Sequence, residues 1–219
     1  ADYQDSESRD RVSMALPYAQ DKVIEALAEV NDNIVVLIVS GNAVEMPWVN
    51  KVDGVVETWF IGSQAGHAIA DVLLGKVNPS GKLPFSFPVR LEDNGAHALN
   101  AYHKDSLTVE YKESIFVGYR WLDKHDIKPL FAFGHGLSYT TFEYGPATIR
   151  KNGNRFKLSL DVTNTGSLEG KEIVQLYIGD DESTLVRPIK ELKGFKKIAI
   201  LPGQTQKVTF EITEDMLKY

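Results

Sequence analysis

Asp5, Glu7 and Asp10 crowd the first stretch of the chain, with Arg9 and Arg11 among them. Carboxyl groups held this close can give and take protons at a reacting oxygen. Cleavage of a glycosidic bond is one reaction that needs two of them, one on each side of the scissile bond. By residue type alone, the same cluster fits a solvated loop whose surface ion pairs are worth little. Other chemistries leave no complete set. Gly75 to Leu83 resembles a phosphate loop, but its glycine spacing is one residue too long, and Leu83 stands where a Mg²⁺-binding Ser or Thr belongs. Gly134-His135-Gly136 follows no long strand and opens no helix, so a dinucleotide fingerprint is not indicated. No Gly-x-Ser-x-Gly elbow occurs. The histidines at 67, 97, 103, 125 and 135 lack metal-ligand spacing, His67 falling on a helical stretch and the others in loops. With no cysteine, thiolate catalysis, disulfides and cysteine-ligated zinc drop out. The expectation is therefore no metal and no cofactor.

Something must position these carboxylates, and 219 residues suffice for one large domain or two small ones. Gln20 to Val30 places Val23, Ile24, Leu27 and Val30 on one helical face. Ile34 to Val39 follows as a continuous β-branched run, which suits a parallel strand covered on both faces. It ends at Ser40-Gly41-Asn42, a turn at the carboxyl end of a strand, where open α/β sheets place their sites. Val55 to Phe60 reads as the neighbouring parallel strand. Gln64 to Leu74 reads as a helix burying Ala65, Ala68, Ile69, Val72 and Leu73, with Gly75 closing it. Pro79, Pro84 and Pro88 then punctuate a long surface segment from Asn78 to Tyr111.

The remainder alternates. Phe156, Leu158, Leu160 and Val162 form one set, Val174, Leu176 and Ile178 a second, and Val208, Phe210 and Ile212 a third, with turns at Asn164-Thr165-Gly166 and Leu201-Pro202-Gly203. Alternation at this spacing predicts a β-sandwich. A formal net charge of −6 argues against a nucleic-acid groove, and the basic stretch Lys190 to Lys197 reads as a solvated strand and turn. No apolar run approaches the roughly 20 residues of a membrane span, and no signal peptide is visible.

Separated motifs, in order along the chain, resemble the family 3 glycoside hydrolases. Asp5-Ser6-Glu7-Ser8-Arg9-Asp10-Arg11 is similar to that family's Ser-Glu-Gly-x-Asp-Arg loop, and Leu16-Pro17 and a helix follow it as they do there. Val44 to Trp48, Asn78 to Pro84, Phe116 to Arg120 and Phe133 to Phe142 resemble further family segments. Arg187 to Phe195 resembles its fibronectin type III-like domain. The resemblance implies an α/β fold: a partial α/β sandwich with a largely parallel sheet and its linker at residues 1–144. An all-β fibronectin type III-like sandwich, truncated, is expected at 145–219.

In that family a (β/α)₈ barrel carries the nucleophilic aspartate, and the α/β sandwich lends the acid/base glutamate, which by resemblance is Glu7. Docking such a loop against an apolar sugar site raises a carboxyl pKa, as a general acid requires. Ser8 and Ser114 depart from the family by standing where it has glycine. Asp10 and Arg11 match the motif, and their expected role is to hold the loop by ion pairs and backbone bonds. Trp48, Trp59 and Trp121 are read as core, with no sugar-binding role. The implied function is the C-terminal portion of a retaining, exo-acting β-glycosidase, inactive without its barrel and lying against the rest of its parent with exposed apolar faces. Its partners are a glycoside or oligosaccharide substrate and the barrel, with no nucleic acid and no membrane span. A periplasmic or secreted location is implied, while glucoside, xyloside and arabinoside remain unseparated. The alternative is a non-catalytic scaffold or carbohydrate-associated module, which has no need of the Glu7 loop motif.

Overall fold

A computed structural model of the chain describes Arg11, residues 13–102 and residues 107–218. It divides into two compact units, one from Ala1–Ile69 and Phe85–Phe133, the other from Ala70–Pro84 and Gly134–Tyr219.

In the first unit, a short turn at Pro17–Ala19 leads into helix α1 (Gln20–Ala28). The helix stops short of Val30, where the Val30 amide takes the Leu27 carbonyl three residues back, at 3.1 Å, in a tighter last turn. Strands β1 (Val35–Ile38) and β2 (Gly54–Glu57) pair in parallel, Val35 opposite Gly54 and Ile38 opposite Glu57, as the sequence leads one to expect. The pairing is locked at both ends. Asp53 Oδ2 accepts the Ile34 amide at 2.8 Å, and Thr58 Oγ1 donates to the Ile38 carbonyl at 2.8 Å. Trp48 is fully buried and donates its indole N–H to Asp21 on α1 at 2.6 Å.

The expected burial of β1 on both faces is not observed. Ile38 is buried, but Val35, Leu37 and Val39 are exposed. The described residues cover one side of the strand, so the apolar run behaves with period two. The apolar stripe of α1 is likewise open at Val23, Leu27 and Val30.

The proline-punctuated stretch also departs from expectation, for it is not all surface. Ser86, Phe87 and Pro88 are buried. Phe87 exchanges backbone hydrogen bonds with the Phe131 segment and stacks on Phe85 at 5.6 Å, and Trp59 packs against both rings. Prolines erase any periodic pattern, but aromatic rings pile up without one. His97, expected in a loop, sits on the short helix α3 (Gly95–Ala98), which the Asn94 side chain caps through the Ala96 amide. Helix α4 (Tyr119–Lys124) buries Trp121 and Leu122 beside Phe116. The Trp121 ring lies 2.9 Å from where a Cβ on Gly95 would stand, so only glycine fits there.

Ser114, exposed, adopts φ = 55°. This left-handed conformation costs a residue with a Cβ roughly 1 kcal/mol, and glycine pays none of it. Ser114→Gly is therefore expected to stabilise the first unit by up to about 1 kcal/mol. Slower amide exchange across α4 would register the gain; unchanged or faster exchange would show that the serine is not strained.

Helix α2 (Ala65–Leu73) closes at Gly75, whose amide donates to the Val72 carbonyl. Its expected buried stripe is only partly covered: Ala65, Ile69 and Val72 are half-buried, while Ala68 and Leu73 are exposed.

In the second unit, β5 (Arg155–Asn164) is central. One of its edges is shared by β3 (Phe142–Tyr144) and β4 (Thr148–Asn152), and the other pairs along β8 (Thr205–Ile212). Facing this sheet, β6 (Gly170–Ile178) and β7 (Glu191–Ile200) form an antiparallel pair with a bulge after Leu176. Leu160, Val162, Val174, Leu176, Ile200, Val208, Phe210 and Ile212 fill the space between, matching the alternation read from sequence. A short helix, α5 (Glu214–Leu217), follows. Buried Asn164 is fully partnered, donating to the Leu168 and Ile200 carbonyls and accepting from Thr140 Oγ1 and the Gly166 amide.

The Asn78–Pro84 strap is knitted to the sandwich. Asn78 donates to the Glu169 carbonyl and accepts from Ser138 Oγ and the Tyr139 amide, at 2.9, 2.9 and 2.8 Å. Lys82 Nζ lies 3.3 Å from Glu172 Oε1 on β6 and donates to the Gly136 carbonyl at 2.7 Å, while Tyr144 OH donates to the same Glu172 oxygen at 2.9 Å. Burial and the Lys82 charge lower the pKa of nearby His135.

Candidate active site

The carboxyl ends of β1 and β2 carry a concentration of polar groups. Buried Ser40 donates from Oγ to the Asn42 carbonyl at 2.6 Å and lies 3.5 Å from Glu57 Oε2. The other Glu57 oxygen accepts the Trp59 amide at 3.0 Å. Trp59 itself stands at φ = 55°, a costly conformation for a bulky side chain, held by that bond and by its packing on Phe85 and Phe87. The chain thus reverses sharply where β2 ends.

Arg11 brings the N-terminal segment to this same edge. Its guanidinium donates to the Ala43, Met14 and Ala15 carbonyls, each at 3.4 Å, and the Glu45 amide donates to the Met14 carbonyl at 2.9 Å. The segment after the acidic loop is stapled across the stretch that leaves β1. The backbone-bonding role expected of Arg11 is observed. Glu7, the candidate acid/base carboxyl, lies outside the described residues, as do Asp5, Ser8 and Asp10.

Trp48 and Trp121 are buried, and Trp59 is enclosed in its aromatic group. Among the described residues, no three His, Cys, Asp or Glu side chains gather as a metal ion would require. Glu57 was not singled out from sequence, although its place at the end of the second strand could have drawn attention to it. Nothing in its neighbours' types announces the Ser40 contact.

The family model for the glycosyl hydrolase family 3 C-terminal domain matches residues 1–139. This chain belongs to glycosyl hydrolase family 3. The model of a fibronectin type III-like domain matches residues 172–219 of the same family 3 chain, on the β6 to β8 part of the sandwich. A β-glucosidase of Bacteroides ovatus is 52% identical over 99% of the chain, which spans 30% of that relative. Among solved structures, the GH3 β-glucosidase of Bifidobacterium adolescentis superposes with a TM-score of 0.92 at 36% identity, over 98% of this chain and 32% of that one. The Kluyveromyces marxianus β-glucosidase in complex with glucose gives 0.88 at 40% identity, over 94% and 25%. The family 3 chain thus spans about a third or less of the length of these relatives. An α/β part followed by a fibronectin type III-like part is the family's C-terminal architecture, and the chain has it.

Proposed function

We propose that this chain supplies the acid/base loop of a retaining, exo-acting, β-glucosidase-like glycosidase, with Glu7 as the acid/base carboxyl. The nucleophile lies on a barrel domain elsewhere in the parent chain. Residues 1–144 serve as the α/β domain with its linker, and residues 145–219 as the fibronectin-like domain. The observation that carries this reading is the Arg11 staple. Four extended residues reach about 14 Å at most, so anchoring Arg11 beside Ala43 tethers the Glu7 loop to the strand-end edge where α/β sheets host chemistry.

The substrate is a glycoside or oligosaccharide, in keeping with relatives named β-glucosidases, one of them solved with glucose. The exposed apolar side chains of α1 and of the stretch around Leu107 and Tyr111 lie against the remainder of the parent.

Retention needs two carboxyl groups about 5–5.5 Å apart. The 219-residue chain by itself is therefore expected to leave aryl β-glucosides uncleaved under conditions where the full parent turns them over. Hydrolysis by the purified chain, abolished by Glu7→Ala, would place both carboxyls within it and refute the division of labour.

A further inference from the structure

Where glycine follows asparagine, the glycine nitrogen can reach the asparagine side-chain carbonyl, because no Cβ obstructs its approach. The chain has two such pairs, Asn94-Gly95 and Asn152-Gly153. The fold treats them in opposite ways.

Asn94 is tied down. Its side-chain oxygen accepts the Ala96 amide at 3.1 Å and so caps α3. Gly95 is buried, with the Trp121 ring 2.9 Å from where its Cβ would stand. The Gly95 nitrogen cannot swing onto the Asn94 Cγ without giving up the cap and displacing the indole.

Asn152 is held only by its strand. It is the last residue of β4, and all five residues of that strand are exposed. Gly153 and Asn154 make the two-residue turn into β5, with Asn152 facing Arg155 across it. Gly153 takes φ = 59° while Asn154 stays at negative φ, the hairpin turn that puts glycine first. Around Gly153 there is open space, and among the described residues no hydrogen bond engages its amide or the Asn152 side chain.

We propose that Asn152 is a modification site, which loses its side-chain amide through a succinimide closed by the Gly153 nitrogen. That nitrogen gives its proton to hydroxide and bonds to Asn152 Cγ. The Cγ–Nδ2 bond breaks, and the amide leaves as ammonia after taking a proton from water. Water then opens the ring. Cleavage at Cγ leaves aspartate, whereas cleavage at the main-chain carbonyl carbon leaves isoaspartate, with the chain continuing through Cβ and Cγ. In sum, one water is consumed and one ammonia released, with no change of oxidation state. Ring closure requires Asn152 to leave its strand conformation, and the end of an exposed hairpin frays more readily than a buried cap. Either product alters the hairpin. Aspartate sets a carboxylate opposite Arg155, which pairs with Glu211 on β8 at 3.1 Å. Isoaspartate adds a carbon to the main chain beside the turn that fixes the register of β4 on β5.

Ageing the folded full parent chain at mildly alkaline pH tests this, with peptide mapping by a fragmentation that tells isoaspartate from aspartate. Asn152 is expected to convert at least about tenfold faster than Asn94, whose conversion needs a buried site to open. Isoaspartate should be among the products, the rate should rise with hydroxide, and the β4 amides should exchange faster in the converted fraction. In urea the two pairs should convert at similar rates, since the difference comes from the fold. Asn152→Ser should abolish conversion at this position and leave amide exchange of Leu160 and Val208 unchanged. An Asn152 that lasts as long as Asn94 in the folded chain would overturn the proposal. So would aspartate without isoaspartate, which marks direct hydrolysis, or a gap between the two sites that survives unfolding. The conversion needs no substrate and no activity, so its outcome is independent of the Glu7 assignment.

Discussion

Glu7→Ala in the full parent chain is expected to slow hydrolysis of glycosides with poor leaving groups about 10²–10⁴-fold, the usual worth of general acid catalysis. The leaving oxygen of such a substrate must be protonated as its bond to the sugar breaks, and Glu7 is the carboxyl assigned to do so. An aryl glycoside whose phenol leaves without a proton should lose far less in the glycosylation step. Its second step still suffers, because in a retaining mechanism the same residue removes a proton from the attacking water. A glycosyl-enzyme should therefore accumulate with activated substrates. Azide needs no base, so it should restore turnover and yield a β-glycosyl azide. A scaffolding role for Glu7 predicts equal losses for every leaving group, lower stability and no effect of azide. Steady-state rates across leaving groups of graded pKa, with and without azide, separate the two, and a flat profile without rescue would refute the assignment.

How far the sequence reveals this arrangement depends on what kind of signal each feature leaves. Strands β5, β6 and β8 were legible because a sheet with one buried face imposes period two on Leu160 and Val162, on Val174 and Leu176, and on Val208 and Phe210. The parallel pairing of β1 and β2 was legible from the β-branched run. Coverage was not: periodicity marks Val23, Leu27 and Val30 as an apolar face but does not say what lies on it. Burial of Phe87 came from ring stacking with Phe85 and Trp59, which has no sequence period. Ser114 was legible as a glycine position, and its φ is indeed positive. At the candidate site the Glu7 loop was read from a motif, whereas the grouping of Ser40 with Glu57 and the carbonyls that hold Arg11 arises only once the strands are side by side. Least visible was Glu172, a charge on the inward side of β6, because its partner Lys82 comes from the distant strap.

That ion pair carries the second large effect. Lys82 and Glu172 side chains are 17% and 10% exposed, so water screens neither well, and removing one partner strands the other in a poorly hydrated place. Lys82→Met is expected to cost the second unit about 3 kcal/mol. Measured as native-state exchange at the core amides of Val174 and Leu176 in the full parent chain, that is roughly a 10²-fold acceleration. Glu172→Leu should cost a similar amount, since it leaves the Lys82 ammonium with the Gly136 carbonyl and no counter-charge. The double variant should lose clearly less than the sum, because neither charge is then left alone. Tyr144 reports on the same knot. Burial, then the Glu172 charge and hydrogen bond, raise its pKa well above the ordinary value of 10.0. The folded state thus holds a proton that the unfolded chain releases, so this stability is complete below about pH 10 and is lost as pH rises further toward the folded pKa. Tyr144→Phe should flatten that alkaline slope while leaving the Lys82 effect at neutral pH in place. Single variants exchanging at the wild-type rate, or strictly additive losses in the double, would show that strap and sandwich are held by the Asn78 bonds without the ion pair.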